Sequence, residues 1–283
     1  MEKKKILIFL VFCFGISYLA AGIFHLTGAE YQSIWGFLLA TVYMFFPLLS
    51  VLLTQLVTGE KPLSDIGISF RLNKWWWLGW LVIIPLPILL SLPVSTLFPG
   101  VSFSTENDTL NQTLETLQAQ GLPLGPWGAG LLTLLSGFVA GLTINALFAF
   151  GEESAWRGFL HRLLKGKGFW KECLIIGVIW GVWHAPLILM GHNYPEHPVA
   201  GVFMMVAFCV LVTPLMVFIR EKSGSVIMAA IAHGTINALG GLPILYLVGY
   251  KELLSGFTGL AGFIVLAVAD IVVLLLRNKE KTA

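Results

Sequence analysis

Glu152, Glu153 and Arg157 close one long apolar run of this 283-residue chain, His184 stands in the next, and His233 with Asn237 stands in a third. An ionisable group at membrane depth costs about 2.5–3.5 kcal/mol on insertion scales, so such residues mark functional positions. A carboxylate, two imidazoles and an amide are the groups of water-driven hydrolysis. A carboxyl sheltered from solvent can take a proton from water near neutral pH. His184 can hold or help deprotonate that water, while His233 and Asn237 can donate hydrogen bonds to the oxyanion of an attacked carbonyl. Glu152, His184 and His233 also offer the oxygen and nitrogen ligands that a divalent ion such as zinc accepts. The HExxH pattern of helical zinc sites is missing.

The spacings say which of these groups share a face. Glu153 and Arg157 are four apart, the separation of a helical ion pair. Glu152 is rotated by about 100° from its neighbour and is free to point elsewhere. Asn145, seven residues before Glu152, lies on nearly the same face and can line the same cavity. His233 and Asn237 are again four apart, and Trp180, four before His184, can line the cavity with Asn145. Depth can be read from the nearest basic residue. Glu152 is ten residues before Arg162, His184 thirteen after Lys171 and His233 eleven after Lys222. At 1.5 Å per helical residue, all three sit roughly 15–20 Å from those charges, at one level.

The elements that must carry them are membrane helices. The chain is 57% hydrophobic and 11% charged, with a mean hydropathy of +0.85; a soluble domain carries about 25% charged residues. Apolar runs at 6–27, 34–57, 75–98, 127–150, 173–190, 199–219, 224–248 and 258–276 predict an all-α polytopic membrane protein of about eight transmembrane helices. The 173–190 run is the shortest and contains Pro186, which leaves its end open. The first run exceeds the 7–15-residue core of a secretory signal and reads as a retained span. Threading eight spans from an inner N-terminus puts 16 of the 17 Lys and Arg on one side, and only Lys251 on the other. Cytoplasmic loops carry the basic excess, so both termini are expected in the cytoplasm.

Three parts follow: residues 1–126, helices one to three and an extracytoplasmic loop; 127–250, a core carrying the polar residues; and 251–283, the last helix and a basic tail. The 99–126 loop holds Glu106, Asp108 and Glu115 but no Lys or Arg, and Leu110, Leu114 and Leu117 predict an amphipathic surface helix within it. Cys13, Cys173 and Cys209 show no pairing or metal spacing and read as small core residues. His25, His161, His192 and His197 fall near interfaces or loops and are read as bland.

Three motifs carry a family resemblance: Glu152-Glu153-Ser154-Ala155-Trp156-Arg157, Trp180-Gly181-Val182-Trp183-His184 and His233-Gly234-Thr235-Ile236-Asn237. In this order they resemble the CAAX prenyl endopeptidase and bacteriocin-processing (CPBP, or Abi) membrane protease family over about residues 130–240. The resemblance implies that Glu152 activates water with the help of His184. It also implies that His233 and Asn237 stabilise the oxyanion and that Glu153 and Arg157 support the site. Its second motif often begins with Phe, where this chain has Trp180. Members have been described both as metalloproteases and as metal-free glutamate-dependent proteases, so a zinc-type cofactor on Glu152, His184 and His233 stays open.

The expected function is therefore an intramembrane endopeptidase acting on membrane-associated or lipidated peptides, in a prokaryotic plasma membrane, with the lipid bilayer as its surroundings and no nucleic-acid partner. Two alternatives use the same residues differently. A transporter or proton pathway would string the buried Glu and His along a route, although no paired inverted repeat is present. A bacteriocin immunity protein would bind a partner without cleaving it.

Overall fold

A computed structural model describes the fold of residues 2–282 and the side chains up to Lys279; Lys281 and the end of the expected basic tail lie outside the described side chains. The chain is 74% helical. Its helices are α1 (Glu2–Leu26), α2 (Ile34–Tyr43), α3 (Phe46–Val57), α4 (Lys74–Leu78), α5 (Pro85–Ser95), α6 (Asp108–Ala119) and α7 (Pro126–Leu142). There follow α8 (Ile144–Glu153), α9 (His161–Leu164), α10 (Phe169–Trp183), α11 (Ala185–Leu189), α12 (Pro198–Ser223), α13 (Val226–Leu239) and α14 (Leu260–Thr282).

Among the described residues six helical segments are long and apolar enough to cross a bilayer: Glu2–Leu26, Ile34–Val57, Lys74–Ser95, Pro198–Ser223, Val226–Tyr246 and Leu260–Lys279. The pair Pro126–Leu142 and Ile144–Lys167, bent by 50° at Thr143, makes a seventh if read as one span. The fifth apolar run does not reach this length. It folds as the 15-residue α10 and the short α11, and 15 residues rise only about 22 Å against a hydrocarbon core of about 30 Å. Pro186 accounts for the break. Its ring excludes the hydrogen bond to the carbonyl four residues back, that of Val182. The Tyr18 hydroxyl donates to that carbonyl at 2.7 Å instead, and Tyr43 donates to the Trp183 carbonyl at 3.0 Å. Two tyrosines from α1 and α2 thus satisfy the carbonyls at the point where His184 leaves the helix.

The antiparallel threading is visible in what gathers at each end. At one end Glu60 binds Lys5 and also Arg162, the latter at 2.6 Å, and Arg277 pairs with Glu221. Gly224, at φ +71°, gives α12 a left-handed cap, and Ser225 caps α13 by accepting from the Ile227 N–H at 3.1 Å. At the other end, strands β1 (Ser102–Phe103) and β2 (Leu247–Val248) pair antiparallel. There too the Tyr246 hydroxyl donates to Pro126 O at 2.9 Å and Lys251 Nζ to Pro99 O at 2.8 Å. The expected surface helix is α6: Leu110 is buried, Leu114 and Leu117 pack on the core, and Asn107 caps it.

Close helix crossings bring the motif-bearing helices together. A Cβ on Gly181 would stand 2.5 Å from Val206 Cα, and one on Gly234 would stand 2.6 Å from Ala146 N. Small residues allow this approach, as they do at membrane helix interfaces generally. Consequently α10 lies against α12 and α13 against α8. The three cysteines are buried and unpaired.

Candidate active site

Trp180 is the residue around which the three motifs meet. Its indole N–H donates to Glu152 Oε2 at 2.7 Å. Its ring centroid lies 5.2 Å from that of His233 and 5.9 Å from that of His184. Its face receives the Arg157 guanidinium at 4.4 Å. Glu152, His184 and His233, from α8, the end of α10 and α13, therefore share one neighbour.

The two adjacent glutamates have separate partners. Glu152 Oε2 accepts from Trp180 and, at 3.3 Å, from the Trp156 indole. Glu153 Oε1 accepts from Arg157 at 2.9 Å and faces His233 Nδ1 at 2.9 Å. Arg157 completes its contacts by donating to Thr213 Oγ1 at 3.1 Å. The chain from Ser154 to Leu160 is a π-helical segment, a local widening that recurs at functional sites. Glu153, Arg157 and Thr213 are wholly buried. The expected ion pair is present, and His233 joins it as a third member.

His184 holds its Nδ1 2.9 Å from the Trp180 carbonyl. A carbonyl only accepts, so Nδ1 carries the proton and Nε2 is the open nitrogen. Trp183 stacks edge-on against this imidazole, with centroids 4.8 Å apart; its own N–H is anchored on Ser17 at 2.8 Å. Glu152 is 2% and His233 4% exposed, whereas His184 is half-buried and Asn237 is exposed. The two glutamates are thus closed off, while His184 and Asn237 keep accessible surface. Asn145 is half-buried, but its amide is engaged elsewhere, donating to the Gly234 carbonyl at 3.3 Å. It fastens α8 to α13 beside His233.

The donors expected to hold a metal are not gathered as a ligand set. Among the described residues, three such donor atoms lie within 4.8 Å of one another only at Glu196, His197 and Glu252, at the far end of α12. Glu152 Oε2 is occupied by two indoles, His233 Nδ1 by Glu153 and His184 Nδ1 by a carbonyl. Glu152, His184 and His233 are thus not drawn together as a three-donor set in this structure, and their chemistry is derived from the side chains themselves.

Three histidines read as bland have definite partners. His161 is buried with Nδ1 2.5 Å from Glu172, His192 meets the Tyr31 hydroxyl at 2.9 Å, and His197 meets Glu252 at 3.0 Å. Of the residues missed in the site, Trp156 carried a signal, since it lies four after Glu152. Thr213 carried none beyond being a hydroxyl within an apolar span.

Residues 126–239 match the family model described as type II CAAX prenyl endopeptidase Rce1-like. The matched segment runs from the start of α7 to the end of α13 and contains every motif residue. The CAAX prenyl protease 2 of Methanococcus maripaludis is 28% identical over 115 residues, covering 38% of this chain. The match spans 42% of that relative's own length.

Proposed function

We propose, from the match of residues 126–239 to the Rce1-like CAAX prenyl endopeptidase family model, that this multi-pass membrane protein is an intramembrane endopeptidase. The observation that carries the reading is the convergence of Glu152, His184 and His233 on Trp180. Two indole N–H groups hold Glu152 Oε2, so Oε1 is the oxygen that receives a proton from water. His184 Nε2 orients that water. The resulting hydroxide attacks the scissile carbonyl.

His233 serves the oxyanion. Glu153 on Nδ1 orients the ring, which as the imidazolium presents Nε2–H to the developing charge, with the Asn237 amide beside it. Glu153 is held for this by Arg157. Two carboxylates, one guanidinium and one imidazolium sum to no net charge, which makes the cluster tolerable away from water. On collapse of the tetrahedral intermediate, Glu152 returns its proton to the leaving amine. One water is consumed, and a carboxylic acid and an amine are released.

The substrate in this reading is a peptide of a prenylated or otherwise membrane-associated protein. The name of the archaeal relative supports the prenylated class, and a site between membrane helices supports a lipid-tethered chain. The test is to incubate the purified protein in lipid nanodiscs with farnesylated and unmodified forms of one CAAX peptide. Mass spectrometry should show release of the residues beyond the prenylated cysteine, faster from the farnesylated form. Absence of cleavage of both would refute the reading.

A further inference from the structure

The guanidinium of Arg157 touches both arms of the site: Glu153, which holds His233, and Trp180, which holds Glu152. What holds Arg157 itself is therefore decisive. Its Nη1 donates to Glu153, and its Nε has no hydrogen-bond partner. The remaining anchor is Thr213, whose Oγ1 accepts from Nη2 at 3.1 Å. The Thr213 hydroxyl proton is spent on the Cys209 carbonyl at 2.6 Å, which turns an oxygen lone pair toward the guanidinium.

We infer that Thr213 is a positioning residue of the site, holding Arg157 so that Glu153 fixes His233 and Trp180 fixes Glu152. It lies on α12, a helix outside the three motifs, and it is wholly buried in a span that is otherwise apolar at this depth. Without the hydroxyl, the guanidinium keeps one hydrogen-bonded anchor and can pivot about its bond to Glu153. Both arms then move together. The inference rests on the hydrolase reading for its kinetic consequence, but the Thr213–Arg157–Glu153–His233 connection can be read without turnover.

The experiment uses full-length Thr213→Val and Thr213→Ser in nanodiscs. Valine keeps the shape and deletes the acceptor; serine keeps the acceptor. With farnesylated peptide, Thr213→Val is expected to lower kcat about ten- to hundredfold, the scale of a reacting group displaced by about 1 Å. KM should stay within about twofold and Tm within about 3 °C, since a membrane hydrogen bond contributes little stability. Thr213→Ser should restore kcat. In 15N-histidine-labelled protein, the downfield proton of His233 Nδ1, assigned by its loss in His233→Gln, should shift or broaden in Thr213→Val and return in Thr213→Ser. An unchanged His233 resonance and kcat in folded Thr213→Val would overturn the inference, as would a folded Thr213→Ser that fails to restore them. If the wild type cleaves nothing, the resonance still decides the role of Thr213, and the peptidase reading fails separately. If Thr213→Val does not fold, Thr213→Ser must still match the wild type in resonance and rate.

Discussion

Removing Arg157 alone, and then together with its partner, isolates the balance of charge under the site. Arg157 and Glu153 are both fully buried and joined at 2.9 Å. Arg157→Met leaves the Glu153 carboxylate buried beside His233 without its guanidinium. Breaking one side of a buried pair costs about 3–5 kcal/mol. For a chain of this size each kcal/mol moves Tm by roughly 2–4 °C, so Tm should fall by about 6–20 °C. The double variant Glu153→Gln, Arg157→Met removes both charges and should recover more than half of that loss. The four proteins of the cycle, melted in one detergent, yield the coupling directly. Additive effects of the two single changes would refute the claim that Glu153 and Arg157 act as a unit, and with it the account of how His233 is held.

The remaining predictions concern packing and pH. Gly234→Ala places a Cβ 2.6 Å from Ala146 N and 2.8 Å from Asn145 C, backbone atoms that cannot swing aside. α13 should retreat from α8, costing about 1–3 kcal/mol of stability and about a hundredfold in kcat; near-native turnover would contradict the close approach. At the basic end, burial works to raise Glu60, but Lys5 and Arg162 outweigh it and hold its carboxyl below the ordinary range. That stabilisation is complete above pH ~4.3 and is lost as pH falls through the depressed folded value. Glu60→Gln should therefore remove this share of the Tm loss in acid. In the loop before α12, burial lowers His192 to about 4. It folds uncharged, so stability should decline from pH ~6.5 down to about 4 and then level. His192→Gln should flatten that window in a Tm-against-pH series; an unchanged slope would show that His192 does not titrate there.

Much of the architecture is legible in the apolar runs, because a bilayer forces each buried backbone to satisfy itself within a helix. The runs at 6–27, 199–219 and 258–276 correspond closely to α1, α12 and α14. The fifth run misleads on length because hydropathy does not register the carbonyls freed at Pro186. Their partners, Tyr18 and Tyr43, lie more than a hundred residues away. Within the site, helical spacing correctly pairs Glu153 with Arg157 and turns Glu152 aside. It does not show that His233 faces Glu153, because that contact links residues 80 apart in sequence. Trp180 reads as a cavity wall in sequence and becomes the common neighbour only when α8, α10 and α13 are brought together. Spacing likewise does not show that the zinc-type donors Glu152, His184 and His233 stay apart rather than forming a three-atom set, since they stand on three separate helices.

The central claim is that Glu152, held by two indoles and sharing the neighbour Trp180 with both histidines, takes the proton of the attacking water. Glu152→Gln is nearly isosteric and can neither accept nor return that proton. Compared with wild type on farnesylated CAAX peptide, the purified variant should remain folded in a melting scan and lose turnover by at least about a thousandfold. A folded Glu152→Gln that cleaves the peptide at a rate near wild type would contradict the account.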